Sequence, residues 1–71
     1  MLPLSMAGTG EALSIFKVSG KDEVRRHLAE LGLVVGQEVT VVNRLGENLI
    51  LQVKDSRIAL DGRLANRILV T

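Results

Sequence analysis

This chain of 71 residues contains no cysteine. A domain this short must therefore fold without disulfide bonds or a thiolate zinc site, and its stability has to come from an apolar core. Apolar residues make up 46% of the chain, but Phe16 is the only aromatic among them. Ordering the chain costs about 1.5 kcal/mol per residue, so most Leu, Ile and Val side chains must be buried. We predict one domain over residues 1–71, with Phe16 in an aliphatic core and little room for a catalytic pocket.

Most of the chain alternates between apolar and polar residues, the pattern of half-buried β-strands. Turn-forming residues such as Gly46 and Asn48 interrupt the alternation, and Asp61 is placed to cap a short turn before the last strand. The predicted strands cover residues 11–18, 38–42, 49–53, 58–60 and 67–70.

One segment follows a helical period instead. Val24, Leu28 and Leu31 recur at positions i, i+4 and i+7, which places them on one face of a helix. Gly32 and Leu33 follow, as in a Schellman motif that ends a helix. The fold class we predict is mostly β, a small, partly open β-barrel with one inserted α-helix at about residues 21–32, and an open α+β sheet is the alternative.

The sequence gives no indication of an enzyme. With one histidine there is no basis for a nucleophile activated by a base, and the glycines form neither a GxGxxG nor a P-loop motif. The net charge is +1, and no aromatic platform accompanies Arg57, Arg63 and Arg67. We interpret these arginines as solvated edge-strand residues and expect no nucleic-acid partner, an RNA-binding barrel being the least favoured function.

His27 is the only histidine of the chain, and it is a candidate metal ligand. Glu23, His27 and Glu30 fall on one side of the predicted helix, which allows a weak contact with a divalent transition metal such as iron or zinc. The same spacing is typical of ordinary charge pairing on a surface helix, which is the interpretation we favour. No cofactor is therefore expected to be required.

The chain starts without a positively charged signal region and has no apolar stretch of the length that a membrane span needs. We therefore expect a cytoplasmic protein.

From Leu4 to Val70 the order and spacing of several segments resemble the FeoA family of bacterial ferrous-iron uptake. The residues that carry the resemblance are Gly10-Glu11, Ile15, Val18, the run from Glu23 to Leu33, the run from Gly36 to Val39, the run from Ile58 to Leu60, Ala65, Ile68 and Val70. The resemblance implies an SH3-like barrel without enzyme activity, similar also to the C-terminal domain of iron-dependent repressors. It implies an accessory or regulator of the FeoB-type, GTPase-coupled ferrous-iron transporter.

Two positions depart from the family pattern. His27 stands where the family commonly has Arg, which weakens the case for an inherited metal ligand on the helix. Val35 stands where the family often has Pro, so the turn before the next strand is expected to be less rigid.

SH3 domains grip proline-rich peptides between aromatic side chains, which this chain lacks. We therefore predict docking through exposed aliphatic residues, with Leu45 and Leu49 as candidate interface residues near a strand-connecting turn. A transition-metal-binding sensor is the alternative function. The pattern leaves self-association open.

Overall fold

A computed structural model describes residues Met1–Thr71. Its six strands form one antiparallel sheet in the order β1-β6-β2-β3-β4-β5. The strands are β1 (Leu2–Pro3), β2 (Ala12–Val18), β3 (Glu38–Leu45), β4 (Asn48–Val53), β5 (Ser56–Asp61) and β6 (Ile68–Val70). The helices are α1 (Asp22–Glu30) and the single turn α2 (Gly62–Ala65), and a 3₁₀ turn covers Leu4–Met6. The sheet stays open, with β1 and β5 at its two ends.

The predicted mostly β fold with one inserted helix is confirmed, with one strand more than expected. The missed strand, β1, has two residues and pairs with β6, and no periodic pattern can be read from so short a segment. Pro3 is tolerated there because β1 is an edge strand, in which the missing N–H of a proline can lie on the side that faces solvent. The hairpin between β4 and β5 is also tighter than predicted, since only Lys54 and Asp55 lie outside the strands.

The core is entirely aliphatic, and it contains no buried polar or charged residue. It forms one cluster of 14 buried residues: Leu4, Ala7, Ile15, Leu28, Leu33, Val39, Val41, Leu49, Leu51, Val53, Leu60, Ala65, Ile68 and Val70. Strands β3 and β4 supply alternate residues to it, as period-2 patterning requires.

Helix α1 ends as predicted. The Gly32 N–H donates to the Ala29 carbonyl at 2.9 Å and the Leu33 N–H donates to the Leu28 carbonyl at 2.9 Å. These two hydrogen bonds are those of a Schellman motif, and Leu28 and Leu33 are both buried beside it. Leu28 is the only fully buried residue of α1, so it is the helix's main anchor on the sheet.

The segment after the helix is a type II β-turn over residues 34–37. The Gln37 N–H donates to the Val34 carbonyl at 3.0 Å, and Gly36 has φ 92°, which this turn requires at its third position. Val35 occupies the second position, where proline is favoured, and its N–H donates no hydrogen bond within the protein.

Val35→Pro is therefore expected to stabilise the fold. Proline lowers the entropy of the unfolded chain and removes no native hydrogen bond, a gain of about 0.4–1 kcal/mol and of a few degrees in Tm. Val34→Pro is the matched control, because the Val34 N–H donates to the Gly32 carbonyl and its loss should destabilise the fold. Thermal unfolding of both variants measures this, and a lower Tm for Val35→Pro would contradict the turn assignment.

Candidate functional site

A surface cleft of about 300 Å³ lies where the 3₁₀ turn, the β3–β4 turn and α2 meet. Its lining is mostly polar, with one apolar residue. The lining residues are Ser5, Arg44, Gly46, Glu47, Leu49, Gly62, Arg63 and Asn66.

Arg44 joins the N-terminal segment to the end of β3. Its guanidinium donates to the Ala7 carbonyl at 2.6 Å, in a partly buried position. The protein has two ion pairs, Arg25 with Asp22 and Arg63 with Asp61, so Arg44 has no carboxylate partner. The remaining donor capacity of this guanidinium is available to an acceptor in the cleft.

Helix α2 forms the opposite wall, and its start is fixed by its N-cap. The Arg63 N–H donates to Oδ1 of Asp61 at 2.7 Å, which confirms the capping role predicted for Asp61. The Ser5 hydroxyl donates to the side-chain oxygen of Asn66, which joins the 3₁₀ turn to the end of α2. The walls of the cleft are thus connected to each other by side-chain hydrogen bonds.

The capping hydrogen bond from the Arg63 backbone lowers the pKa of Asp61 from its ordinary value, and the Arg63 side chain lowers it further. A group whose pKa is lower in the folded state stabilises the fold when ionised, and it loses this contribution as the pH falls through its folded pKa.

We expect protonation of the Asp61 carboxylate to contribute to the loss of stability in acid. A carbon-13 NMR titration should place its carboxyl midpoint below the ordinary value for an aspartate. Asp61→Asn keeps a capping acceptor but cannot ionise, so its stability should fall less steeply below about pH 4 than that of the parent chain. A midpoint at or above the ordinary value would contradict the capping geometry.

Two large exposed apolar residues belong to the segments that line the cleft. Leu45, between Arg44 and Gly46, is 58% exposed, and Met6, next to Ser5, is 72% exposed. The prediction that Leu49 is an exposed interface residue is wrong. Leu49 is 2% exposed because its position in β4 points into the core, and it contributes only the apolar floor of the cleft.

Phe16 is not a core residue, contrary to the prediction, because it lies at a β-bulge. Ile15 pairs with Val70 and Lys17 with Leu69, which leaves Phe16 as the extra residue, 51% exposed. Val34 and Val35, on the neighbouring turn, are also exposed. A bulge depends on pairing with distant strands, so a single-strand pattern does not show it.

The predicted metal ligands are not brought together. Glu23, His27 and Glu30 all lie exposed on α1, and no group of three or more His, Cys, Asp or Glu residues is placed to hold a metal ion. Residues seven positions apart are separated by about 10 Å along a helix axis, which is too far for three side chains to converge easily on one ion. Weak metal contact through one or two of these residues stays a prediction.

The arginines Arg57, Arg63 and Arg67 lie in three different parts of the fold. Arg57 lies on the edge strand β5, whereas Arg63 lies in α2 and Arg67 precedes β6. The interpretation as edge-strand residues therefore holds for Arg57 alone. Neither helix has the length and apolar character that a membrane crossing requires.

The open antiparallel sheet with one inserted helix is the fold of a small SH3-like domain. An FeoA protein from Stenotrophomonas maltophilia in complex with zinc, described as a prokaryotic SH3 domain protein, matches with TM-score 0.86 and 32% identity. The match covers 100% of this chain and 91% of that chain. The sequence model of the FeoA domain matches residues 2–71, and this chain belongs to the FeoA family.

Further structures agree with this assignment. An iron uptake regulatory protein, also an FeoA protein, matches with TM-score 0.91 and 28% identity, over 97% of this chain and 93% of that chain. A manganese-dependent transcriptional repressor is 16% identical and has TM-score 0.84, over 93% of this chain and 38% of that chain. At that identity the likeness concerns the fold alone. No curated protein sequence matches. The family is associated with ferrous-iron transport and consists of small accessory domains that are not known enzymes.

Proposed function

We propose that this protein is a non-enzymatic, cytosolic regulator of ferrous-iron uptake that docks on the cytoplasmic part of a FeoB-type transporter. Membership of the FeoA family supports the link to iron transport. The role requires only a protein surface that recognises another protein, and it needs no cofactor.

The observation that carries this proposal is the exposure of Leu45 beside the cleft. Leu45 is 58% exposed, so a partner can cover its side chain. The guanidinium groups of Arg44 and Arg63, which both line the cleft, can donate hydrogen bonds to an acidic group of that partner. The only aromatic residue, Phe16, does not line the cleft, so recognition of a proline-rich peptide between aromatic rings is not available there.

The proposal predicts that Leu45→Ser weakens binding to the transporter. Full burial of an exposed Leu side chain contributes about 1.5–3 kcal/mol, and Leu45 has 58% of its surface left to bury, so removal of this contact should raise Kd by about four- to twentyfold. Isothermal titration calorimetry with the soluble cytoplasmic domain of the transporter, with and without guanine nucleotide, measures this effect.

Phe16→Ser is the matched control, because it removes an exposed apolar side chain that does not line the cleft. Binding that is lost in Leu45→Ser and retained in Phe16→Ser supports the surface around Leu45 and the cleft as the docking surface. The reverse pattern would place the docking surface at Phe16, and the proposed function as a regulator of the transporter would still stand. Absence of binding by the parent chain in both nucleotide states would overturn the proposed function.

A further inference from the structure

Strand β5 is one of the two edge strands of the sheet. It pairs with β4 alone, over six residues from Ser56 to Asp61. The opposite edge, β1, has only two residues, and one of them is a proline, as in edges that are protected from pairing. Only the β5 edge is therefore long enough to accept another strand.

The hairpin register shows which backbone groups point outward from β5. Val53 and Ser56 close the two-residue turn, so they form a hydrogen-bonded pair, and such pairs alternate along an antiparallel ladder. Gln52 with Arg57, Ile50 with Ala59, and Asn48 with Asp61 are then the pairs without hydrogen bonds. The N–H and C=O groups of Arg57, Ala59 and Asp61 consequently face away from β4.

The sequence of this edge is complementary to itself when read antiparallel. With Ala59 placed opposite Ala59 of another copy, Arg57 faces Asp61 of that copy and Asp61 faces its Arg57. The central residue is small and exposed, so it does not obstruct the approach of a second strand. The outward-facing N–H and C=O groups of Arg57 and Ala59 and the N–H of Asp61 meet in the same register, whereas the C=O of Asp61, the N-cap of α2, already accepts the first hydrogen bond of that helix.

The charged groups of this edge have donor and acceptor capacity to spare. Arg57 uses its Nε to donate to Oε1 of Gln52 at 3.0 Å, which leaves its two terminal nitrogens free. Both contacts from Arg63 reach Oδ1 of Asp61, so Oδ2 remains available. Each copy can thus offer an Arg and an Asp to the other without breaking its own hydrogen bonds.

We propose that the β5 edge binds a second copy of this chain, in an antiparallel β-strand pair with a twofold axis at Ala59. The charges select this partner and this register. A parallel arrangement places Arg57 opposite Arg57 and Asp61 opposite Asp61, and like charges directly opposite each other destabilise a strand pair. The interface belongs to the small, weak class, because it consists of one short strand from each copy.

Sedimentation equilibrium and intermolecular NOE measurements by NMR test this proposal. The parent chain should change from monomer to dimer as its concentration rises to about 1 mM. A sample of mixed isotope-labelled and unlabelled chains should give intermolecular NOEs between the two Ala59 residues, and the Ala59 amide should gain protection from hydrogen exchange in the dimer.

Arg57→Glu should weaken dimerisation at least about tenfold, because it places two carboxylates opposite each other. Arg26→Glu makes the same charge change on the exposed surface of α1 and should leave dimerisation unchanged. Ala59→Pro should also abolish dimerisation, because it removes an outward-facing donor, which an edge strand tolerates.

A parent chain that stays monomeric to about 1 mM overturns the proposal. Dimerisation that is equal in the parent chain and in Arg57→Glu overturns it as well, because the contact would then lie elsewhere. The Leu45→Ser variant should dimerise normally, so the tests of this proposal and of the docking proposal are independent of each other.

Discussion

Leu28→Ala is expected to remove a large part of the stability of this domain. Leu28 is fully buried, and truncating a buried Leu costs about 2–5 kcal/mol through lost burial and the cavity left behind. The total free energy of unfolding of a chain of this size is about 4–11 kcal/mol. Because Leu28 is the only fully buried residue of α1, the helix should loosen from the sheet before the sheet itself unfolds.

Thermal and urea unfolding measure the global effect, with a Tm decrease of at least about 10 °C. Hydrogen exchange measures the local one, and amides of α1 should lose more protection than amides of β3 and β4. Leu45→Ala makes the same chemical change at an exposed position and should alter the free energy of unfolding by less than about 0.5 kcal/mol. Equal destabilisation by the two variants would contradict the packing described for α1.

Gly62→Ala is expected to destabilise the domain and to distort the cleft. A Cβ atom added to Gly62 would lie 2.6 Å from the backbone carbonyl oxygen of Glu47, so α2 and the β3–β4 turn could no longer approach as they do. Alanine is favoured over glycine in a helix by about 1 kcal/mol, which alone would stabilise α2. Forcing an extra atom into a packed site costs about 1–3 kcal/mol, and the backbone clash places this variant at the upper end of that range.

Chemical denaturation should give a net loss of about 1–2 kcal/mol for Gly62→Ala. Amide NMR signals of Gly46, Glu47 and Asn48 should shift, and binding to the transporter domain should weaken with them. Gly8→Ala is the control, because its added Cβ would meet only the flexible end of the Glu11 side chain, at 3.3 Å. Unchanged stability and unchanged signals at Glu47 would show that the close approach does not exist in solution.

The elements that could be predicted are those whose pattern is local. The spacing of Val24, Leu28 and Leu31 predicts α1, and Gly32 predicts where it ends. Asp61 predicts the start of α2, because a capping residue acts on the backbone two residues later. The alternation in residues 49–53 predicts β4, whose buried and half-buried residues alternate in the structure.

The errors concern residues whose environment is set by distant parts of the chain. Phe16 is apolar and aromatic, which favours the core, but the bulge between β2 and β6 turns it outward. Leu49 follows a turn, which favours exposure, but its register in β4 buries it. The cleft brings together residues from three segments of the chain, and no local pattern shows that Ser5, Glu47 and Arg63 line one cavity.

The sequence by itself determined an aliphatic, mostly β domain with one inserted helix and without disulfide bonds, because composition and periodicity decide what can be buried. The residue spacing also carried the resemblance to the FeoA family, which the match over residues 2–71 shows. The tertiary structure alone decided which apolar residues stay exposed and which strands form the unpaired edges of the sheet. Those features depend on strand order, register and bulges, which arise from pairing between residues far apart in the chain.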